Sequence, residues 1–270
     1  MTRDAIFQLP NRTILRLVGP DTRALLQRVI TADVENFPIG TVRPGALLTP
    51  QGKIICDFMM FSRENGIDID VAESAGAALL KRLTMYRLKA DVTLSHETAL
   101  HTLWSSTSFD GGSEDPRLPG QLWRAVSDAD HETRPLDAVE IPAGIPAFGR
   151  DYGEAEVFPT DVNQDVYGGV GWTKGCFIGQ EVVSRMKRRG TIRKRSLAVT
   201  FDGKAPPAGT ALKAGDVGVG EITSSHESQA IALVRLDKLE KAEGALNAAD
   251  IAASTTVPEA LRPEPAAERI

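Results

Sequence analysis

Ten glycines and prolines fall between Pro142 and Gly175. No helix or strand of ordinary length persists at that density, because glycine leaves the backbone too free and proline removes donors. The segment is therefore irregular, and such segments lie on surfaces or clefts and often carry function. It divides two differently patterned regions. Ahead of it, residues 13–19 read as a strand, and Pro20-Asp21 opens a helix with Asp21 as N-cap and Leu25/Val29 and Leu26/Ile30 paired at i, i+4. Residues 46–48 and 53–61 read as strands joined by the turn Thr49-Pro50-Gln51-Gly52. Gly66 to Val71 alternates and predicts a half-buried strand, and Leu79, Leu83 and Tyr86 share one helical face. Strand patterns follow at Asp91–Ser95 and Leu100–Trp104. Short turns between several strands favour an antiparallel α+β arrangement over a parallel sheet.

Behind the irregular segment, from about Ile192, short strands separated by Pro206-Pro207, Gly209, Gly215, Gly218 and Gly220 predict a small β-barrel. Ile251 to Val257 closes its sheet, and Pro258 begins a loose tail. The expected divisions are 1–110, 111–191, 192–257 and a tail at 258–270, with the loop at 110–120 as an internal boundary.

With 42% hydrophobic and 25% charged residues, the composition excludes disordered, fibrous and membrane-embedded chains. Two cysteines, Cys56 and Cys176, exclude a disulfide scaffold, and four histidines without zinc spacing argue against a structural metal. Met1-Thr2-Arg3-Asp4 has neither a long apolar signal core nor the Arg-rich look of a transit peptide, so a cytoplasmic location is expected. The net charge of −5 excludes a generic polyanion binder. Charge is uneven, however: eight basic residues and one acid (Glu181) lie between Lys174 and Arg195.

Gly168 to Arg185 is the most informative stretch. A glycine-rich loop precedes Ile178, Val182 and Met186 at helical spacing, and Gly190 serves as the stop. Cys176 then falls at or just before a helix N-terminus, with Lys174 two residues away. Both features favour thiolate and point to a reactive or ligand-gripping cysteine; a buried structural cysteine is the alternative. The run Arg185, Lys187, Arg188, Arg189, Arg193, Lys194 and Arg195 reads either as a solvated face or as a site for carboxylates, phosphates or RNA. Few aromatics interleave with it, so stacking of single strands is weakly supported.

Lys174-Gly175-Cys176-Phe177-Ile178-Gly179-Gln180-Glu181 resembles the K-G-C-[FY]-x-G-Q-E signature of the YgfZ-type folate-binding proteins. These are relatives of the glycine-cleavage T-protein, an aminomethyltransferase, and include a mitochondrial iron–sulfur assembly factor. Ala143-Gly144-Ile145-Pro146, Phe148-Gly149-Arg150-Asp151, Phe158-Pro159, Gly168-Gly169 and Arg185 agree with the same family. So do Leu17-Val18-Gly19-Pro20-Asp21, Thr31-Ala32-Asp33 and Leu47-Leu48-Thr49-Pro50-Gln51-Gly52-Lys53. Phe177 stands where Tyr is frequent and Ser184 where Ala is frequent.

The resemblance implies an α+β fold: a three-lobed ring of two ferredoxin-like portions and a C-terminal barrel around a central channel for tetrahydrofolate. It implies support of iron–sulfur cluster assembly or repair, including of enzymes that thiolate tRNA. Cys176 is the expected working thiol, supported by Lys174. Asp57 is a weaker catalytic candidate, since Cys56-Asp57 stands where a pair of acids is usual in the aminomethyltransferases. Folate contacts are expected from Asp57, Arg150, Asp151, Lys174, Gln180, Glu181 and Arg185: an anionic glutamyl tail suits the cations, and a pterin edge suits a carboxylate. Expected partners are folate and iron–sulfur client or assembly proteins, met by a monomer away from membranes, with tRNA a lesser partner. The alternative is a tetrahydrofolate-dependent one-carbon transferase.

Overall fold

The structure is a computed structural model that describes residues 5–190 and 192–261. The chain forms two compact units, Met1–Pro135 with Tyr167–Gln180, and Leu136–Val166 with Glu181–Ile270.

The first unit contains β1 (Phe7–Gln8), β2 (Arg12–Val18), α1 (Thr22–Val29), β3 (Val42–Leu48), β4 (Ile54–Arg63), β5 (Gly66–Ala72), α2 (Glu73–Arg87), β6 (Thr93–Glu97), β7 (His101–Ser105), β8 (Ser113–Glu114) and β9 (Trp123–Ser127). Two antiparallel sheets result, ordered β3-β4-β5-β2-β6 and β1-β7-β9-β8. The turn expected at Thr49–Gly52 closes through the Gly52 N–H on the Thr49 carbonyl at 2.9 Å. Asp21 precedes α1 as expected. Its carboxylate does not cap the helix but accepts the Asp91 N–H at 2.8 Å.

The half-buried reading of β5 is corrected. Its alternation separates two buried faces, not a wet one from a dry one. Ile67, Ile69 and Val71 lie toward α2, where Gly76 permits an approach so close that a Cβ would stand 2.4 Å from Thr13 Cγ2. Asp68 and Asp70, both fully buried, occupy the other face. There the second sheet covers the first, and Val126 of β9 packs on Val42, Met59 and Phe61. Burying carboxylates requires partners. Arg16 donates two bonds to Asp68 at 2.7 and 2.9 Å, Arg63 donates a third at 3.0 Å, and Arg12 donates to Asp70 at 2.7 Å. Arg124 of β9 donates to the buried Asp115 at 2.7 Å and brings Nη1 to 3.7 Å from Asp70. Asp57 of β4, expected as a folate contact, is buried, and its register puts it on the same face of the strand as Met59 and Phe61.

The second unit contains α3 (Asp137–Glu140), α4 (Gln180–Arg188, its first residue counted with the first unit), β10 (Lys194–Phe201), β11 (Ala211–Ala214), β12 (Val217–His226), β13 (Gln229–Arg235), α5 (Leu236–Leu239), β14 (Leu246–Ala248) and β15 (Ile251–Thr255). The strands close a barrel in the order β10-β13-β12-β11-β14-β15. Alternate residues such as Leu197, Val199, Leu212, Val219, Ile222 and Val234 fill it. At about 1.5–3 kcal/mol for each fully buried aliphatic side chain, this interior supports the unit. As expected, β15 closes the barrel, pairing with β10 and β14.

Between Glu140 and Gln180 no helix or strand occurs, in keeping with the breaker density. Two parts of that segment are tied to the barrel by side chains. Arg195 of β10 donates to Asp165 at 2.6 and 3.0 Å and to the Thr160 carbonyl at 2.7 Å. Thr223 and Ser224 of β12 donate to Asp151 at 2.7 and 2.5 Å. Of the tail expected from Pro258, Glu259–Leu261 form a 3-10 turn whose Leu261 enters the barrel core, and residues 262–270 lie outside the described residues.

Burial opposes ionisation of Asp115, yet Arg117 and Arg124 outweigh it and hold the carboxyl well below the usual carboxylate range. The stability that Asp115 supplies is therefore complete above its unfolded pKa of about 3.9 and is lost as pH falls below that value. Asp115→Asn, which strands two buried guanidinium groups, is expected to cost about 3–5 kcal/mol at pH 7. Urea unfolding at pH 7, 4 and 3 should show that gap shrinking as the acid form takes over.

Candidate functional site

Three stretches far apart in sequence meet in the first unit: 31–33, 49–52 and 169–179. Thr31 organises the first contact. Its hydroxyl donates to the Gly169 carbonyl at 2.6 Å and accepts the Ala46 N–H at 2.9 Å, while its carbonyl accepts the Gly171 N–H at 2.9 Å. Lys174 makes the second. Its side chain is buried, and Nζ donates to the carbonyls of Ile30 at 2.8 Å and Ala32 at 2.6 Å, while lying 5.0 Å from the centre of the Phe177 ring. Gly179 makes the third. Its φ of +78° is a conformation that side chains resist, and a Cβ there would stand 2.6 Å from the Thr49 carbonyl oxygen.

Cys176 is exposed between these anchors. Lys174 and Phe177 are buried on either side of the exposed Gly175-Cys176. The helix begins later than the spacing predicts: α4 starts at Gln180, four residues beyond the thiol, and its buried contact is Val183 rather than the Ile178/Val182/Met186 stripe. The stop at Gly190 holds, with φ +60°.

Lys174, expected as support for the thiol, directs its donors to backbone carbonyls. Burial pushes its ammonium down to about 8, against the opposing pull of Asp33 and Glu35. Arg150 and Asp151, expected as folate contacts, are also committed internally. Asp151 accepts from the Ala147 N–H at 2.9 Å, Arg150 Nε at 2.8 Å, Thr223 and Ser224, which occupies both oxygens twice. The Arg150 guanidinium further donates to Asp137 at 2.9 Å, Glu140 at 3.2 Å and the Ile145 carbonyl at 2.8 Å. Gln180 lies half-buried at the head of α4, and Glu181 and Arg185 are exposed on it. Arg195 leaves the basic run, since its ion pair with Asp165 is internal.

Sequence reasoning singled out Thr31 and Gly179 only as parts of a resemblance, and no local signal assigns them a supporting role. A cavity of about 670 Å³ in the first unit, lined by Arg16, Arg63, Asp68, Leu100 and Val126 among others, includes none of the expected site residues.

Residues 193–263 match the family model described as CAF17, C-terminal beta-barrel domain. Over most of its length the chain is similar to the IBA57 iron–sulfur cluster assembly factors. It is 28% identical to the "Iron-sulfur cluster assembly factor IBA57 homolog, mitochondrial" of Phaeosphaeria nodorum, over 73% of this chain and 55% of that protein. It is 27% identical to the "Iron-sulfur cluster assembly factor IBA57, mitochondrial" of Homo sapiens, over 87% of this chain and 79% of that one. The crystal structure of glycine cleavage system aminomethyltransferase T from Bartonella henselae superposes with a TM-score of 0.72, covering 95% of this chain and 86% of that one at 15% identity. The fold is thus that of the T-protein, mixed α and β with a closed six-stranded barrel. The cytoplasmic expectation is corrected: these relatives are mitochondrial by name. The first four residues are too local a feature to outweigh similarity over most of the chain.

Two variants test this geometry. With a folded value near 8 and an unfolded one near 10.4, Lys174 binds its proton more weakly in the folded state, so it adds stability as pH rises between those values. Lys174→Met should remove that rise, so the wild-type-minus-variant difference in unfolding free energy is flat from about pH 6 to 7.5 and climbs between about 8 and 10.4. Gly179→Ala should cost about 1–3 kcal/mol in urea unfolding, because the left-handed backbone and the Thr49 carbonyl both reject a Cβ.

Proposed function

We propose that this protein is an accessory factor in iron–sulfur cluster assembly or repair, and that Cys176 is its working thiol. The observation that carries the reading is an exposed cysteine on a loop whose neighbours Lys174 and Phe177 are both anchored inward. A fixed, reachable thiol suits transient contact with cargo. After losing its proton, the sulfur can donate one electron pair to an iron. A cluster needs about four such ligands, so most of them belong to the partner that brings or takes it. Similarity to proteins named as IBA57 assembly factors supports the same reading. The partners are then assembly proteins and cluster-dependent clients, and the finer YgfZ-type assignment adds tRNA-thiolating enzymes to the clients.

Folate does not fit the residues first assigned to it. Asp151 has no acceptor capacity left, and the donors of Arg150 and Lys174 are turned to internal oxygens. Asp57 is buried on a covered sheet face. Gln180, Glu181 and Arg185 keep accessible surface but offer no flat, enclosed slot on their own. No step of the proposed function passes through a folate.

The test is complementation of a deletion strain, read as the activity of a [4Fe–4S] enzyme. Cys176→Ser and Cys176→Ala should leave that activity at the level of the deletion, with the purified variants unfolding in urea as the wild type does. Full rescue by either variant overturns the role of the thiol. Measurable one-carbon transfer by the purified protein, dependent on Asp57 but not on Cys176, would replace this reading with a transferase.

A further inference from the structure

Seven of the chain's 31 basic residues and none of its 36 acids lie between Arg185 and Arg195. Several arginines elsewhere are neutralised: Arg12, Arg16, Arg63, Arg117, Arg150 and Arg235 each pair with an aspartate. The run is different. Apart from Arg195, its members are exposed or half-buried, and among the described residues no ion pair engages Arg185, Arg188, Arg189 or Lys194.

The presentation is fixed by one apolar residue. Val183 of α4 is fully buried. At about 100° per residue, Arg185 and Arg188 then project from the opposite side of the helix, with Arg189 close behind. Positive charge in the last turn suits the helix dipole, but that effect is worth only about 0.3–1 kcal/mol and is met by one or two cations. It does not account for three arginines on one side of so short a helix.

We propose that the outer face of α4, carrying Arg185, Arg188 and Arg189, docks an acidic surface of a partner protein. Guanidinium groups pair with carboxylates through two parallel hydrogen bonds, which gives orientation as well as attraction. The observations favour a protein over RNA. No aromatic residue lies between Gln180 and Leu197 to stack a base. The helix is nine residues long, about 13.5 Å, a short track for a phosphate backbone. The rest of the chain is strongly acidic and repels a long polyanion, whereas an acidic protein patch touches only the local face. The proposal extends the assembly-factor reading by naming the chemistry of its partner.

The experiment uses the full-length protein with two probes, a fluorescein-labelled deca-glutamate peptide and an in-vitro transcribed tRNA, by anisotropy at 50 and 200 mM salt. Arg185→Glu/Arg188→Glu/Arg189→Glu should weaken peptide binding at least tenfold. Lys81→Glu/Lys89→Glu, on another exposed surface, should leave it within twofold. The triple variant should keep the wild-type circular dichroism and the wild-type rate of Cys176 alkylation, and should reduce rescue of the [4Fe–4S] enzyme in the deletion strain. Equal peptide binding by wild type and triple variant overturns the proposal, as does tRNA binding that displaces the peptide and exceeds it in affinity. If Cys176→Ser rescues fully while the triple variant does not, the docking surface stands and the thiol reading falls.

Discussion

The Lys174 ammonium, buried against the carbonyls of Ile30 and Ala32, is the contact on which the thiol loop depends. Those oxygens lie just past the end of α1, in the connection that leads to β3. A lysine arriving from more than 140 residues away satisfies them and in doing so draws Tyr167–Gln180 into the first unit. The ammonium tolerates its burial because two carbonyls accept from it, although burial weakens its hold on the proton. Thr31 reinforces the junction from within the same connection. An activating lysine and an anchoring lysine occupy the same place in a sequence motif, and only the direction of the side chain separates them.

The same logic of charge-paired burial runs through the first unit. Asp68 and Asp70 sit where apolar residues are the usual filling between two sheets. They persist because Arg12, Arg16, Arg63 and Arg124 reach them from three strands. Such a network is weak evidence for net stability, but it defines how the sheets register, because each charge is tolerated in only one arrangement. In the second unit Asp151 and Arg195 act alike, binding an irregular segment to regular strands.

Much of the architecture was legible because it rests on local signals. The turn at Thr49–Gly52, α2 through Leu79 and Leu83, the breaker-rich segment and the glycine-punctuated barrel all follow from spacing and backbone preference. What escaped is what depends on tertiary cover. Gly66–Val71 alternates as a half-exposed strand does, and nothing in those six residues reveals that a second sheet lies over the aspartates. Arg150 and Asp151 read as ligand contacts because a charged pair in a loop has that meaning until its partners, Asp137, Glu140, Thr223 and Ser224, are placed around it. Cys176 was legible as chemistry, whereas its exposure, set by anchors on either side, was not.

Gly179 pressed against the Thr49 oxygen joins two parts of the gene separated by 130 codons. Neither part can drift alone: a larger residue at one, or a reshaped hairpin at the other, shifts the floor beneath the sulfur. An engineer wishing to transplant the octapeptide into another scaffold would need to carry the hairpin and the threonine connection with it.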